Sequence, residues 1–151
     1  ENPDSVSVRA LMDTVTDSVA RAGHKLQTER LSEDLRVNIR EMAVQRALTN
    51  LVMNGFHYGK HVRFHAEVTP GEKLLLIIDD DGPGIAPEKR EEAFKPFSRL
   101  DDSRNQNIKG VGLGLAIARD IVRSHGGDLA LDISPQGGLR AVISLPVSQN
   151  I

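Results

Sequence analysis

Hydrophobic positions along the chain follow two spacings, one typical of helices and one typical of strands. The helical spacing predicts three long helices and one short helix that opens with a proline, over about 8–22, 41–58, 113–125 and 87–94. Alternating and continuous apolar runs predict strands in "KLQTER", "LRVNIR", "HVRFHAEV", "KLLLIID", "DLALDIS" and "LRAVISL", the last four forming two hairpins. The pattern therefore predicts an α+β fold, a two-layer sandwich with about three helices on one face of a mixed, largely antiparallel sheet.

Length and charge narrow the possible functions. The chain, read as a single domain over 1–151, has no cysteine, which excludes disulfides and thiolate metal sites. Its 19 basic and 21 acidic residues give a net charge of −2, so we expect no nucleic-acid partner and no direct membrane contact. The polar start, the missing Met and the lack of long apolar runs lead us to expect an excised piece of a longer protein, without a membrane span or signal peptide.

A polar stripe runs along the second predicted helix, beside its apolar face. Asn50 and Asn54 are one turn apart, and His57 and Tyr58 lie one turn beyond Asn54. Asparagine is a poor interior helix residue, and its amide oxygen is a suitable ligand for Mg²⁺, so the stripe indicates ligand binding. A solvated helix face is the alternative for this stripe taken alone.

The sequence "DDDGPG", residues 79–84, joins three carboxylates to a glycine turn at the end of an apolar strand. Adjacent carboxylates repel one another, so we expect them near the surface in contact with water. Gly82 and Gly84 allow a flat ligand to approach the main chain, where a fixed carboxylate could accept a hydrogen bond from an exocyclic amine such as that of adenine. The alternative is an acidic turn without a ligand; a calcium loop would need further ligands that are missing.

Three glycines, Gly110, Gly112 and Gly114, stand before or within the start of the last long helix. Glycines at a helix N-terminus leave backbone N–H groups free to hold phosphate, although close helix packing is an alternative reason for them. Their spacing matches neither the dinucleotide-binding fingerprint nor the P-loop. The preceding segment, 98–109, is polar and without periodicity, so we expect a mobile loop there.

Four motifs follow one another along the chain: "NLVMNGFHY", "DDGPGI", "FKPF" and "GVGLGL". They resemble the N box, the first glycine box, the F box and the second glycine box of the sensor histidine kinase catalytic and ATP-binding domain. That domain belongs to the superfamily of gyrase, heat-shock chaperone, histidine kinase and mismatch-repair ATPases. The resemblance spans nearly the whole chain and implies a Bergerat-type ATP-binding fold, ATP and Mg²⁺ as cofactors, and a mobile ATP lid at about 98–111.

The resemblance also implies a role for each motif. Asp80 would accept the adenine amino proton, leaving Asp79 and Asp81 as solvated neighbours. Asn54 would coordinate Mg²⁺, and Asn50 would support the metal and the phosphates, which makes these two the catalytic residues. Phe94 and Phe97 would anchor the lid, and Arg99 with Arg104 or Lys109 would reach the triphosphate. The complete ATP-binding set comprises Asn50, Asn54, His57, Tyr58, Asp80, Gly82, Gly84, Ile85, Phe97, Arg99, Lys109, Gly110, Val111, Gly112, Leu113, Gly114 and Leu115.

Three positions depart from the family pattern. His57 stands where Lys or Arg is frequent, so its phosphate contact would depend on pH. Gly55 replaces the usual Ala, which we expect to loosen the helix by up to about 1 kcal/mol. Val111 replaces Ser or Thr and removes a hydroxyl. The stretch "HGG" at 125–127, in contrast, matches a recurrent helix end of the family and is interpreted as a helix C-cap.

The function implied by the resemblance is donation of the γ-phosphoryl group of ATP to a histidine on the dimerisation and phosphotransfer domain of the same protein. A response regulator receiver domain would then take the phosphoryl group. His24, His61 and His65 are not followed by the Glu and Pro of a phosphoacceptor helix, so the acceptor is expected outside this chain. The implied location is the cytoplasmic part of a membrane-anchored sensor.

Other functions stay open. A hydrolytic ATPase of the gyrase or mismatch-repair kind uses a Glu one turn before the metal-binding Asn, where this chain has Asn50. A nucleotide-sensing or scaffolding module without transferase activity is kept open by His57 and Val111. A serine kinase acting as an anti-sigma factor is disfavoured by "FKPF" and by the start of the chain.

Overall fold

The computed structural model describes residues 1–95 and 111–147, with the backbone alone for 111–113. A single turn of 3-10 helix (Pro87–Lys89) precedes α3. The other elements, in chain order, are β1 (Asp4–Ser7), α1 (Val8–Arg21), β2 (Gln27–Glu29), β3 (Arg36–Ile39), α2 (Glu41–Tyr58), β4 (Val62–Val68), β5 (Lys73–Asp80), α3 (Arg90–Ala93), α4 (Val111–Ser124), β6 (Asp128–Ile133) and β7 (Leu139–Pro146).

The main sheet has five strands in the order β2-β4-β5-β7-β6. Strands β2 and β4 are parallel and the other neighbours are antiparallel, which confirms the predicted mixed, largely antiparallel sheet. The predicted helices and hairpins are confirmed, with α4 beginning at Val111 rather than at 113. Strand β1, which pairs with β3, was not predicted because "DSVS" is short and mostly polar.

Helices and sheet share one hydrophobic core on one face of the sheet. Side chains from α1, α2 and α4 join a single buried cluster with alternate residues of the central strands, such as Phe64, Leu76 and Ile143. Successive strand residues point to opposite faces, so the alternation along β5 places Leu74, Leu76 and Ile78 toward the helices. Asp80 follows the same alternation at the end of β5, which directs it toward the helical layer.

The end of α4 is joined to the start of α2. Gly126 has a φ of +81°, and the N–H of Gly127 donates to the carbonyl of Val122 at 3.1 Å, so the predicted glycine C-cap is confirmed. The ring of His125 contacts the carbonyl of Ile121 through Nδ1 at 2.7 Å, and its Nε2 accepts from the Arg40 N–H at 3.1 Å. The two bonds require a neutral ring with the proton on Nδ1.

Gly55 lies where α2 packs closely against β4. A Cβ at this position would stand 3.0 Å from Cγ2 of Val62 and 3.5 Å from Cβ of Asp80. The glycine therefore has a packing reason: it lets the helix approach the strand end that carries Asp80.

Candidate functional site

Asn54, on α2, carries a buried amide oxygen. Its Oδ1 has no hydrogen-bond partner among the residues that the structure describes. An unpaired buried carbonyl oxygen is costly unless a ligand satisfies it, and amide oxygen is a hard donor suited to Mg²⁺. The Asn54 side chain thus fits a cation site, while Asn50, one turn earlier on α2, is half-buried on the same helix face.

Asp80 ends β5 as a buried carboxylate, with 5% of its surface exposed, so the expectation that it lies near the surface in contact with water was wrong. Its Oδ1 accepts from the backbone N–H of Gly82 at 2.9 Å and from that of Leu139 at 3.1 Å. Burial raises the pKa of Asp80, while these two backbone bonds favour the ionised form. Both donors reach Oδ1, which leaves Oδ2 without a donor among the residues that the structure describes, so Oδ2 is the oxygen that a ligand would meet.

Asp79, expected near the surface as a solvated neighbour, is completely buried, so that expectation was wrong. Arg140 binds it in a bidentate pair, at 2.7 Å and 2.9 Å, and His65 Nε2 lies 3.2 Å from its Oδ2. Burial acts to raise the pKa of Asp79, but the bonds from Arg140 and His65 outweigh burial and lower it. Asp79 points away from Asp80, to the other face of the sheet.

Asp81 is also more than a solvated neighbour, because it closes the loop between α2 and β4. Its Oδ1 accepts from the N–H groups of Lys60 at 2.7 Å and His61 at 3.0 Å, and its Oδ2 lies 2.8 Å from Nδ1 of His61. The backbone and side-chain bonds from His61 lower the pKa of Asp81 to about 2. The three aspartates therefore have three separate environments.

The glycines of the turn allow backbones to meet closely. A Cβ on Gly82 would stand 2.8 Å from the carbonyl oxygen of Tyr58, and a Cβ on Gly59 would stand 2.9 Å from the Gly82 nitrogen. Gly84 has a φ of +71°, a conformation that favours glycine. Ile85, next along the chain, is half-buried against the core, and its carbonyl accepts from Nε of Arg90 at 3.1 Å.

Aromatic rings mark the end of α2. His57 is exposed and meets Tyr58 edge to face, with ring centroids 4.9 Å apart and planes at 87°. Tyr58 is half-buried beside the Gly82 backbone. The structure thus places the backbone and Cβ of Tyr58 against the turn that follows Asp80.

The helix α4 brings the second glycine motif to its N-terminal turns. Its first turn contains Gly112, Leu113 and Gly114, and Leu115 is buried in the core. A Cβ on Gly114 would meet no described heavy atom within 4 Å, so close packing does not explain this glycine. The remaining predicted contacts lie outside the described residues: Phe97, Arg99, Arg104, Lys109 and Gly110. The same holds for the predicted lid at about 98–111, as far as the start of α4.

Phe94, the first aromatic residue of "FKPF", is buried, with 4% of its surface exposed. The guanidinium of Arg119 on α4 lies 3.8 Å from its ring centroid and also pairs with Glu91 at 2.9 Å. This contact fixes the end of the described segment against α4.

Two absences apply to the described part of the chain. No group of three or more His, Asp or Glu side chains there could hold a metal ion on its own. No described helix has the length and apolar character to cross a membrane.

Comparison with known proteins gives consistent matches. Residues 39–149 match the family model described as histidine kinase-, DNA gyrase B-, and HSP90-like ATPase. Sensor histidine kinase CpxA of Escherichia coli is 33% identical over 95% of this chain and 32% of its own length, and sensor protein RstB of the same species is 44% identical over 72% and 25%. The NMR structure of the histidine kinase domain of the E. coli osmosensor EnvZ is 33% identical, with a TM-score of 0.75, and the match covers 100% of this chain and 93% of that one. The chain spans about a quarter to a third of the length of the two sensor proteins.

Proposed function

We propose a function from one premise: the chain belongs to the family of histidine kinase-, DNA gyrase B- and HSP90-like ATPases, as an ATP-binding catalytic domain of the sensor histidine kinase type. The chain binds ATP with Mg²⁺ between α2, the turn after β5 and the start of α4. It then donates the γ-phosphoryl group to a histidine on a separate dimerisation domain. A receiver domain of a response regulator accepts the group from that histidine.

The observation that carries the proposal is the carboxylate of Asp80. A nearly buried acceptor held by two backbone donors suits a ligand that presents an N–H group, such as the exocyclic amine of adenine. Gly82 and Gly84 let the turn after Asp80 pack closely against the backbones of Tyr58 and Gly138. In this proposal the flat base lies against the main chain of that turn, and the Tyr58 ring packs beside the base. The site would reject guanine, whose carbonyl oxygen would face the carboxylate.

The phosphates would lie between Asn54 and the first turn of α4. Free N–H groups of the Gly112–Gly114 turn and the positive end of the helix dipole favour phosphate oxygens. Asn54 would hold Mg²⁺ through its unpaired Oδ1, with Asn50 supporting the same region. When bound, Mg²⁺ would neutralise charge that develops on the phosphates.

The chain's contribution to transfer is positioning and charge neutralisation. The bond between the γ-phosphorus and its bridging oxygen breaks, a bond to an imidazole nitrogen of the acceptor forms, and ADP leaves. Asn50 replaces the Glu that activates water in hydrolytic relatives, so hydrolysis should be slow. The predicted contacts from Arg99, Lys109 and Gly110 complete the phosphate site in this proposal.

Titration calorimetry with Mg-ATP and Mg-GTP tests the proposal. We expect heat with Mg-ATP, a loss of roughly tenfold or more in ATP affinity in Asp80→Asn, and a smaller loss for GTP, because the amide presents a donor where adenine also donates. Asp132→Asn, an exposed aspartate of β6, should leave both affinities unchanged. No heat at millimolar nucleotide, or equal losses for both nucleotides in Asp80→Asn, would contradict the assignment.

A further inference from the structure

Ser134 is a buried hydroxyl at the start of the turn between β6 and β7, with 4% of its surface exposed. Its Oγ donates to the backbone carbonyl of Asp80 at 2.6 Å and accepts from the N–H of Gly138 at 3.0 Å. A backbone N–H can only donate and a carbonyl can only accept, so the direction of both bonds is fixed. The hydroxyl therefore links residue 80 to a turn more than fifty residues away in sequence.

The turn reaches Asp80 at the point where regular pairing of the strands ends. The β5–β7 ladder pairs residues as far as Asp79 with Arg140, and Asp80 lies beyond it. There, the hydroxyl of Ser134 donates a hydrogen bond to the carbonyl of Asp80. The N–H of Leu139 donates to Oδ1 of the Asp80 side chain at 3.1 Å. The turn thus holds the backbone of Asp80, and Leu139, the first residue of β7 directly after the turn, holds its carboxylate.

The turn between β6 and β7 can approach Asp80 closely because backbone hydrogen bonds hold the turn itself closed. The N–H of Ser134 donates to the carbonyl of Gly138 at 2.8 Å, and the N–H of Gly137 donates to the carbonyl of Ser134 at 2.9 Å. A Cβ on Gly138 would overlap the carbonyl oxygen and Oδ1 of Asp80 and would stand 2.7 Å from the Gly82 nitrogen. The turn therefore contacts Asp80 and its glycine turn directly through backbone.

We propose that Ser134 is a positioning residue for base recognition: through the carbonyl of Asp80 and the 134–138 turn, it orients the Asp80 carboxylate so that Oδ2 faces the ligand. This inference rests on the proposed function, in which Asp80 reads adenine. Loss of the hydroxyl would leave the Asp80 carbonyl and the Gly138 N–H without their shared partner and release the turn. Binding of the base should weaken, whereas binding of phosphate alone should not.

The test compares Mg-ATP with inorganic triphosphate plus Mg²⁺ in Ser134→Ala. We expect ATP affinity to fall roughly tenfold, as for the loss of a buried hydrogen bond, and triphosphate affinity to stay within about twofold. Ser144→Ala, an equivalent truncation on β7, should bind both ligands as the parent does. Unchanged ATP affinity, or equal loss for ATP and triphosphate, would overturn the proposal.

A double-mutant cycle distinguishes the positioning role of Ser134 from the proposed role of Asp80 in ATP binding. If Ser134 acts through Asp80, Ser134→Ala should cost less than about twofold in ATP affinity when placed in the Asp80→Asn background. A full tenfold loss on top of Asp80→Asn would overturn the positioning role while leaving the role of Asp80 intact. Unchanged ATP affinity in Asp80→Asn itself would instead overturn the proposed function.

An isosteric pair covers the case in which Ser134→Ala does not fold. Ser134→Thr keeps the hydroxyl and Ser134→Val replaces it by a methyl group of similar volume, so the two variants crowd the turn equally. We expect the Thr variant to bind ATP roughly tenfold more tightly than the Val variant, with equal affinities for triphosphate. Equal ATP affinities for the pair would overturn the proposal.

Discussion

The ion pair between Arg140 and Asp79 offers a quantitative test of how the strand end beside the site is held. Asp79 is completely buried, and Arg140 contacts both of its oxygens while about a quarter of the Arg140 side chain is exposed. Arg140→Leu would leave a buried carboxylate whose remaining partner is His65 at 3.2 Å. Removal of one partner of a buried pair costs about 3–5 kcal/mol, and the His65 contact favours the lower end, so we expect about 3 kcal/mol.

Urea unfolding at several pH values measures this cost. In the parent, the pKa of Asp79 is lowered, so its contribution to stability is present above the unfolded value near 4 and is lost as pH falls through the folded value. In Arg140→Leu the carboxylate is buried with less compensation, so its pKa rises above the unfolded value and protonation relieves the penalty. The difference in unfolding free energy should therefore be about 3 kcal/mol at pH 7 and shrink toward pH 4.

Arg63→Leu is the matched control, because Arg63 on β4 pairs with a largely exposed Glu29 on the neighbouring strand β2. Exposed pairs contribute about 0–1 kcal/mol, so this variant should lose little stability. A loss below about 1 kcal/mol in Arg140→Leu, or a loss that is independent of pH, would refute the reasoning that Asp79 is a buried ionised group stabilised by Arg140.

Two further predictions concern the residues around the turn. Because the pKa of Asp81 is lowered to about 2, the parent should be more thermally stable than Asp81→Asn, by an amount that is constant above about pH 5 and shrinks as pH falls from about 4 to 2. A difference in melting temperature that stays constant from about pH 4 to 2 would contradict the contact with His61. Gly138→Ala should lower the unfolding free energy by about 2–3 kcal/mol because its Cβ would overlap Asp80, whereas Gly114→Ala, facing open space in a helix, should leave stability unchanged or raise it. Equal thermal shifts for the two alanine variants would contradict the described packing.

Local sequence patterns predicted most of the elements in this fold. Helical periodicity over 41–58 reproduces α2 to the residue, and the Gly-Gly hairpin reproduces β6 and β7 within one or two residues. These features depend on neighbouring residues, which the sequence displays directly. Strand β1 was missed because its pairing with β3, rather than its own composition, makes it a strand.

Tertiary pairing determined what the sequence could not show. The three aspartates look alike in sequence, yet Asp79 is buried by a partner 61 residues away and Asp81 closes a loop 20 residues before it. The sequence did not predict a function for Ser134, because its bond to Asp80 depends on the register in which β7 pairs with β5. No local signal distinguishes a serine that reaches across a sheet from one that faces water.

The most direct test of the central claim is transfer of labelled phosphate from ATP to a separate dimerisation and phosphotransfer domain. The chain alone should stay unlabelled, and mixing at micromolar concentrations should label the acceptor histidine roughly a hundred- to a thousand-fold more slowly than in the intact protein, where a linker supplies millimolar effective concentration. Asn54→Ala, checked for folding by urea unfolding, should abolish this transfer by removing the unpaired buried oxygen that suits Mg²⁺. Labelling of the chain's own histidines, or transfer by Asn54→Ala at the parent rate, would contradict its assignment as the phosphoryl-donating part of a sensor kinase.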